Sequence, residues 1–174
     1  ASMLGVGVGF DTKGAGEIIV KGVDKDKTTS TYVIPDTREG WVESLRLLLE
    51  SYFINLGRVE FDYSEIRPAG APISGFGGVA SGHEPLEELH NEIRQVLETN
   101  SGEPISITTI VDIMNLIGKC VVAGNVRRSA ALAMGDYDDK EYLSMKNDQQ
   151  KLYSHRWGSN NSFHAVVGMD YEWH

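Results

Sequence analysis

The sequence predicts an α/β fold. Three observations carry that prediction. Short segments whose apolar residues alternate with polar residues or glycine are interleaved with longer segments whose apolar residues recur every three or four positions. The 174 residues, 41% hydrophobic and 24% charged, suffice for one domain's core without disulfides or metal. Glycine is abundant, at 19 residues, or about 11% against the usual share of about 7%. It gathers between the periodic segments, where ligand-holding turns belong.

Composition also excludes function classes. The 16 basic and 25 acidic residues give a net charge of −9, which argues against a DNA- or RNA-binding surface, because phosphate backbones require clustered positive charge. A single small phosphorylated ligand stays compatible, since two arginines and a few backbone N–H groups can hold one. The lone cysteine, Cys120, excludes an internal disulfide framework and a cysteine-cluster zinc site. No apolar run approaches the ~20 residues that cross a bilayer. Ala1-Ser2-Met3-Leu4 lacks the basic stretch that opens a signal peptide. A cytoplasmic setting with no membrane partner is the expectation. Strand-like sequence at both ends, without tails, suggests a piece of a larger sheet.

The elements follow in order. Leu4–Phe10 alternates apolar residues with glycine and reads as a strand where a backbone or ligand comes close. Its G-x-G-x-G spacing, with no helical pattern behind it, is not the dinucleotide fingerprint. Glu17–Gly22 and Thr31–Ile34 read as strands around the polar turn Val23–Lys27, a β-hairpin. Pro35-Asp36-Thr37-Arg38-Glu39 opens a helix, with Asp36 as cap and Glu39 completing a capping box. Trp41, Leu45, Leu48, Leu49 and Tyr52 form its stripe, and Gly57 is its stop. Val59–Tyr63 alternates as a strand. Ile66–Gly82 is too rich in glycine and proline for regular structure and long for a plain connection. Pro85 suits the first turn of a second helix, striped by Leu86, Leu89, Ile93, Val96 and Leu97 and ended by Asn100-Ser101-Gly102. A third helix starts near Thr108 or Thr109, with Asp112 available for a capping box and Ile110, Val111, Met114, Ile117 and Val121 as its buried side. After the polar loop Ala123–Ala130 come a strand at Ala131–Met134, a short helix boxed by Asp138 and Glu141, and a polar turn from Ser159 feeding a last strand.

Two loops carry the chemistry. In Gly124-Asn125-Val126-Arg127-Arg128-Ser129, adjacent arginines offer planar forks suited to phosphate or a base edge. The same residues also read as a surface turn paired with acids. The glycine loop Ser74–Gly82 offers backbone N–H groups as an anion nest ahead of a helix start, or is a flexible surface loop. Asn160 and Asn161 read as substrate-holding amides or as turn caps. Cys120 reads as a buried thiol, with no histidine spaced to activate it. His83 and His90 could share a helix face, a weak metal signal, and no metal site is assigned. His155-Arg156-Trp157 reads as a cation beside an aromatic or as a half-exposed turn.

Together, Ile66–Gly78, Leu116–Lys119 with Val121–Ala130, His155-Arg156-Trp157 and Ser159–Ser162 resemble the adenosylcobalamin-dependent ribonucleoside-triphosphate reductases. Gly5–Phe10 and Asp36–Val42 add to the resemblance, which covers nearly the whole chain. It implies a segment of that family's ten-stranded α/β barrel: residues 1–16 a barrel strand and turn, 17–66 an inserted hairpin and helix module, 67–174 a barrel segment with two specificity loops. The implied reaction reduces the ribose 2′ position of a ribonucleoside triphosphate by a thiyl-radical mechanism. Adenosylcobalamin is the implied cofactor and thioredoxin the implied reductant. That mechanism needs three cysteines, and one is present, so the resemblance implies a fragment with neither catalytic cysteines nor the cobalamin site. What it implies for this segment is allosteric specificity. Ser74, Gly75, Phe76, Gly77, Gly78, Ser81 and Gly82 would hold a deoxynucleoside triphosphate effector. Gly124, Asn125, Val126, Arg127, Arg128 and Ser129 would relay its identity, with Asn160 and Asn161 near the substrate. A free-standing, non-catalytic nucleotide-binding module is the alternative.

Overall fold

The computed structural model describes residues 1–73, 78–123, 130–164 and 167. Among them, in chain order, lie a 3-10 turn (Ser2–Leu4), β1 (Val8–Asp11), β2 (Ser30–Val33), α1 (Arg38–Phe53), β3 (Val59–Asp62), α2 (Glu84–Thr99), α3 (Ile107–Val122), β4 (Ala131–Asp136), α4 (Lys140–Ser144), α5 (Gln149–Ser154) and β5 (Ser159–His164). The alternation is that of an α/β protein, as the sequence predicts. Two parallel sheets result: β1-β4-β5, and β2 with β3. Val8 pairs with Ala131 and Ala131 with Ser159 in the first, and Ser30 with Val59 in the second.

The expected hairpin between 17–22 and 31–34 is not formed. Residues 18–20 instead bond to the connection between α2 and α3, through Gly102 N–H to Val20 O at 2.7 Å and Ile105 N–H to Ile18 O at 2.7 Å. β2 pairs with β3, with α1 as the crossover that parallel strands require. This arrangement puts Ile34 wholly inside, in one cluster with Leu48 and Tyr52 of α1 and Leu86, Leu89, Ile93 and Leu97 of α2. Each such aliphatic side chain contributes roughly 1.5–3 kcal/mol by leaving water.

The caps shift by a residue. Thr37, not Asp36, caps α1, its Oγ1 accepting from Gly40 N–H at 3.0 Å. Asp139, not Asp138, caps α4 through Tyr142 N–H at 2.9 Å. Ser106 caps α3, and the Glu141 carboxylate accepts from Thr108 N–H at 2.8 Å, so this acid serves a different helix from the one expected.

α3 is buried on two sides. Ile113, Leu116 and Cys120 join the cluster under α2, whereas Ile107 and Val111 meet Ala133, Tyr142 and Met145 against the three-stranded sheet. Of the predicted stripe, Val111 and Val121 are buried, whereas Ile110, Met114 and Ile117 are only partly so. No helix among the described residues is long and apolar enough to cross a membrane.

Candidate functional site

A cavity of about 740 Å³ opens between the start of α1, the stem of the glycine loop and the last turn of α3. Trp41 and Leu45 of α1, Leu86 and Leu89 of α2, and Ile117 and Val121 of α3 contribute to its walls. The polar part of the wall includes Asp36, Thr37, Arg38, Glu39 and Glu43 around the start of α1, Ser2 near the first residues, and Arg67 and Ser81 flanking the glycine loop. Its size and its mixture of apolar wall with a few polar groups suit a small-molecule ligand.

The glycine loop rises from a short antiparallel ladder. Ala80 N–H donates to Ala71 O at 2.8 Å, Gly70 N–H to Ala80 O at 2.9 Å and Ile73 N–H to Gly78 O at 3.1 Å, around the bridge between Pro72 and Val79. Gly78 at φ 105° and Gly82 at φ 79° adopt backbone that favours glycine. Of the residues expected to hold a ligand here, Ser81 and Gly82 line the cavity and Gly78 closes the stem. Ser74, Gly75, Phe76 and Gly77 lie outside the described residues, as do Gly124, Asn125, Val126, Arg127, Arg128 and Ser129 of the arginine loop. Ala123, the residue before that loop, lines the same cavity as Ile73 and Val79–Gly82. The two loops thus leave from one hollow. Asp36 and Arg67 meet at its rim, with Arg67 Nε 2.5 Å from Asp36 Oδ2.

Asn160 and Asn161 are not in a turn but inside β5, beside Leu132 and Ala133 of β4. Asn160 is exposed, and Asn161 Nδ2 donates to Met145 Sδ at 3.3 Å. They stand apart from the cavity wall. Cys120 is buried in α3, as expected of an inert thiol, and touches the cavity.

Two buried polar clusters escaped sequence reasoning. Asp112, expected at a helix start, accepts from Arg156 Nε at 2.6 Å and Nη2 at 2.9 Å, with His155 Nε2 2.9 Å from its Oδ1. His155 and Arg156 are buried, not a half-exposed turn, and only Trp157 reaches solvent. Burial alone would raise the Asp112 carboxyl, but the Arg156 and His155 hydrogen bonds outweigh it and hold its pKa low. Beside it, the wholly buried Asn115 amide has no partner among the described residues. An acid amid the apolar run of Ile110 to Met114 was the available signal.

The second cluster centres on His90. Its Nε2 lies 3.0 Å from Ser44 Oγ and its Nδ1 2.8 Å from Tyr63 Oη, with the Phe61 ring stacked at 4.2 Å. Ser44 gives its own proton to Trp41 O at 2.8 Å. Nε2 is therefore the donor to Ser44, and Nδ1 accepts from Tyr63. Burial, reinforced by Arg94, pushes the His90 pKa down to about 3 and keeps the ring neutral. His90 is thus a satisfied core residue. Among the described residues no group of three ligating side chains could hold a metal.

The family model for the insertion domain of B12-dependent ribonucleotide reductase matches residues 12–97. An adenosylcobalamin-dependent ribonucleoside-triphosphate reductase of Euglena gracilis is 54% identical over 98% of this chain and 24% of its own length. A relative from Dictyostelium discoideum is 53% identical over 98% of this chain and 25% of its own. The crystal structure of a B-12 dependent (class II) ribonucleotide reductase superposes with a TM-score of 0.80 and 36% identity, over 92% of this chain and 27% of that one. The shared α/β architecture is thus that of a class II ribonucleotide reductase segment. The chain belongs to the family of adenosylcobalamin-dependent ribonucleoside-triphosphate reductases. It spans about a quarter of the length of the curated relatives it matches.

Proposed function

We propose that this chain serves ribonucleoside-triphosphate reduction as the segment that binds a deoxynucleoside triphosphate effector and transmits its identity to the substrate site. The observation that carries this reading is the shared cavity. Ile73 and Val79–Gly82 beside the glycine loop and Ala123 ahead of the arginine loop line one hollow of about 740 Å³. A nucleotide there would touch Ser81 and Gly82 beside residues 74–78. It would also lie against Ala123, the residue ahead of Gly124–Ser129, a stretch whose Arg127 and Arg128 offer forks for phosphate or base. A loop with two arrangements can couple two ligands by ~1–3 kcal/mol. Residues 17–66 act in this reading as the inserted module, supplying the α1 wall. Outside the matched insertion domain of residues 12–97, β1-β4-β5 forms part of the barrel's strands in this reading, with Asn160 and Asn161 toward the substrate.

Adenosylcobalamin, when bound, supplies the homolysis that starts the radical reaction. The described residues do not fit it. His90 has both ring nitrogens engaged, and His155 is buried between Asp112 and Ser154. Cys120 is a buried helix residue. The cofactor site, the reacting cysteines and the contact with thioredoxin belong, in this reading, to other parts of the enzyme.

Titration of the chain with dATP, dGTP, dCTP and TTP by calorimetry tests the reading. Saturable binding of at least one is expected, with amides of residues 70–82 protected from exchange. Absence of binding to all four removes it.

A further inference from the structure

We propose that Asp36 and Arg67 form a strut that positions the glycine-loop stem over the cavity and so sets how long a ligand stays there. The proposal rests on the nucleotide reading above for its ligand, and on geometry for the strut. The pair joins residues 31 apart in sequence, Arg67 Nε lying 2.5 Å from Asp36 Oδ2, while Arg67 Nη1 reaches Pro72 O at 3.4 Å. One guanidinium thus ties together the approach to α1 and the first rung of the stem ladder.

Both anchors are firm. Asp36 lies in a turn so tight that a Cβ on Gly40 would meet Pro35 O at 2.6 Å, and Thr37 locks that turn by capping α1. Arg67 follows Ile66, which is buried in the main core. The stem beyond it depends on the few bonds from Gly70 to Ala80, and Val79, bridged to Pro72 in that ladder, is half exposed. The ion pair itself is about one-third exposed at both ends, so its contribution to global stability is small. Its effect is local. Both residues line the cavity, and without the pair the stem keeps its own ladder but loses its tie to the opposite wall. Displacement of the stem opens the side of the cavity from which Ser81 and Gly82 are presented.

Hydrogen exchange and nucleotide binding of the whole chain test this, using Arg67→Gln, Asp36→Asn and the exchanged pair Asp36→Arg with Arg67→Asp. In the unliganded singles, the amides of Ile73 and Ala80 are expected to exchange about tenfold faster, while those of Ile93 and Leu116 in the core stay unchanged. Dissociation of the nucleotide that binds the parent chain is expected to quicken about fivefold or more, and the exchanged pair restores both. Stem protection and dissociation unchanged in the singles overturn the strut. A parent chain that binds none of the four deoxynucleoside triphosphates overturns the ligand half, and the exchange data then judge the strut alone.

Discussion

The carboxylate of Asp112 in α3 grips the guanidinium of Arg156 with both oxygens, at 2.6 and 2.9 Å, inside the protein. The grip holds the turn before β5 against the helix that leads into the arginine loop. It thereby links the three-stranded sheet to the cavity side of the molecule.

Breaking that pair leaves a buried charge alone. Arg156→Met is expected to destabilise the chain by about 3–5 kcal/mol, and the double replacement Asp112→Leu with Arg156→Met by much less. Urea unfolding of the single and double variants measures the difference. Since the Asp112 pKa is depressed in the fold, its contribution is full above the unfolded value of about 3.9 and is lost as pH falls through the folded one.

His90 predicts a second acid dependence. The folded ring titrates at about 3, the unfolded one at about 6.5. Below that upper value the unfolded chain takes up a proton that the fold refuses, so stability falls as pH drops through the window, by at most about 1.4 kcal/mol per unit from this group. Above it the contribution is constant. Denaturation of the parent and His90→Gln at pH 7 and at pH 5 should show a smaller pH difference in the variant.

Tyr142 bridges the sheet. Its hydroxyl lies 2.7 Å from both Ala133 O and Ser162 O and accepts from Ser162 N–H at 3.1 Å. Tyr142→Phe is expected to cost about 1–3 kcal/mol by leaving buried backbone groups unpaired. Gly135→Ala is expected to be comparably harmful, because its Cβ would stand 2.5 Å from the Tyr142 ring. Thermal melts of both variants check this, with loss of β4–β5 amide protection as the local sign.

Arg127→Ala in the complete enzyme is expected to change which ribonucleotide each effector favours more than it changes folding. Substrate competition assays under each of the four effectors read this out. Unaltered preference under all of them would rule out a relay through Arg127.

Much of this was legible along the chain, for identifiable reasons. The stripe Leu86, Leu89, Ile93, Val96 and Leu97 announced α2 because one face repeats every turn, and all of it but the partly buried Val96 is buried. The glycine and proline content of 66–82 announced an irregular loop, and its described part is a stem with glycines at positive φ. Strand pairing was not legible. The alternation at 31–34 fits a hairpin and a crossover equally well, and only burial of Ile34 beneath α1 and α2 distinguishes them. Likewise Asp112 and Arg156 lie 44 residues apart, and nothing local marks them as partners.

By itself the sequence determined the α/β class, the main helices, the family resemblance and the loops where a ligand would be sought. These depend on local period, on residues that permit unusual backbone, and on motifs read in order. Tertiary structure alone decided that β2 lies beside β3, that Asp36 reaches Arg67 instead of capping a helix, and that both loops leave from one cavity. Such relations depend on which distant surfaces exclude water together, a property of the folded chain that no window of residues contains.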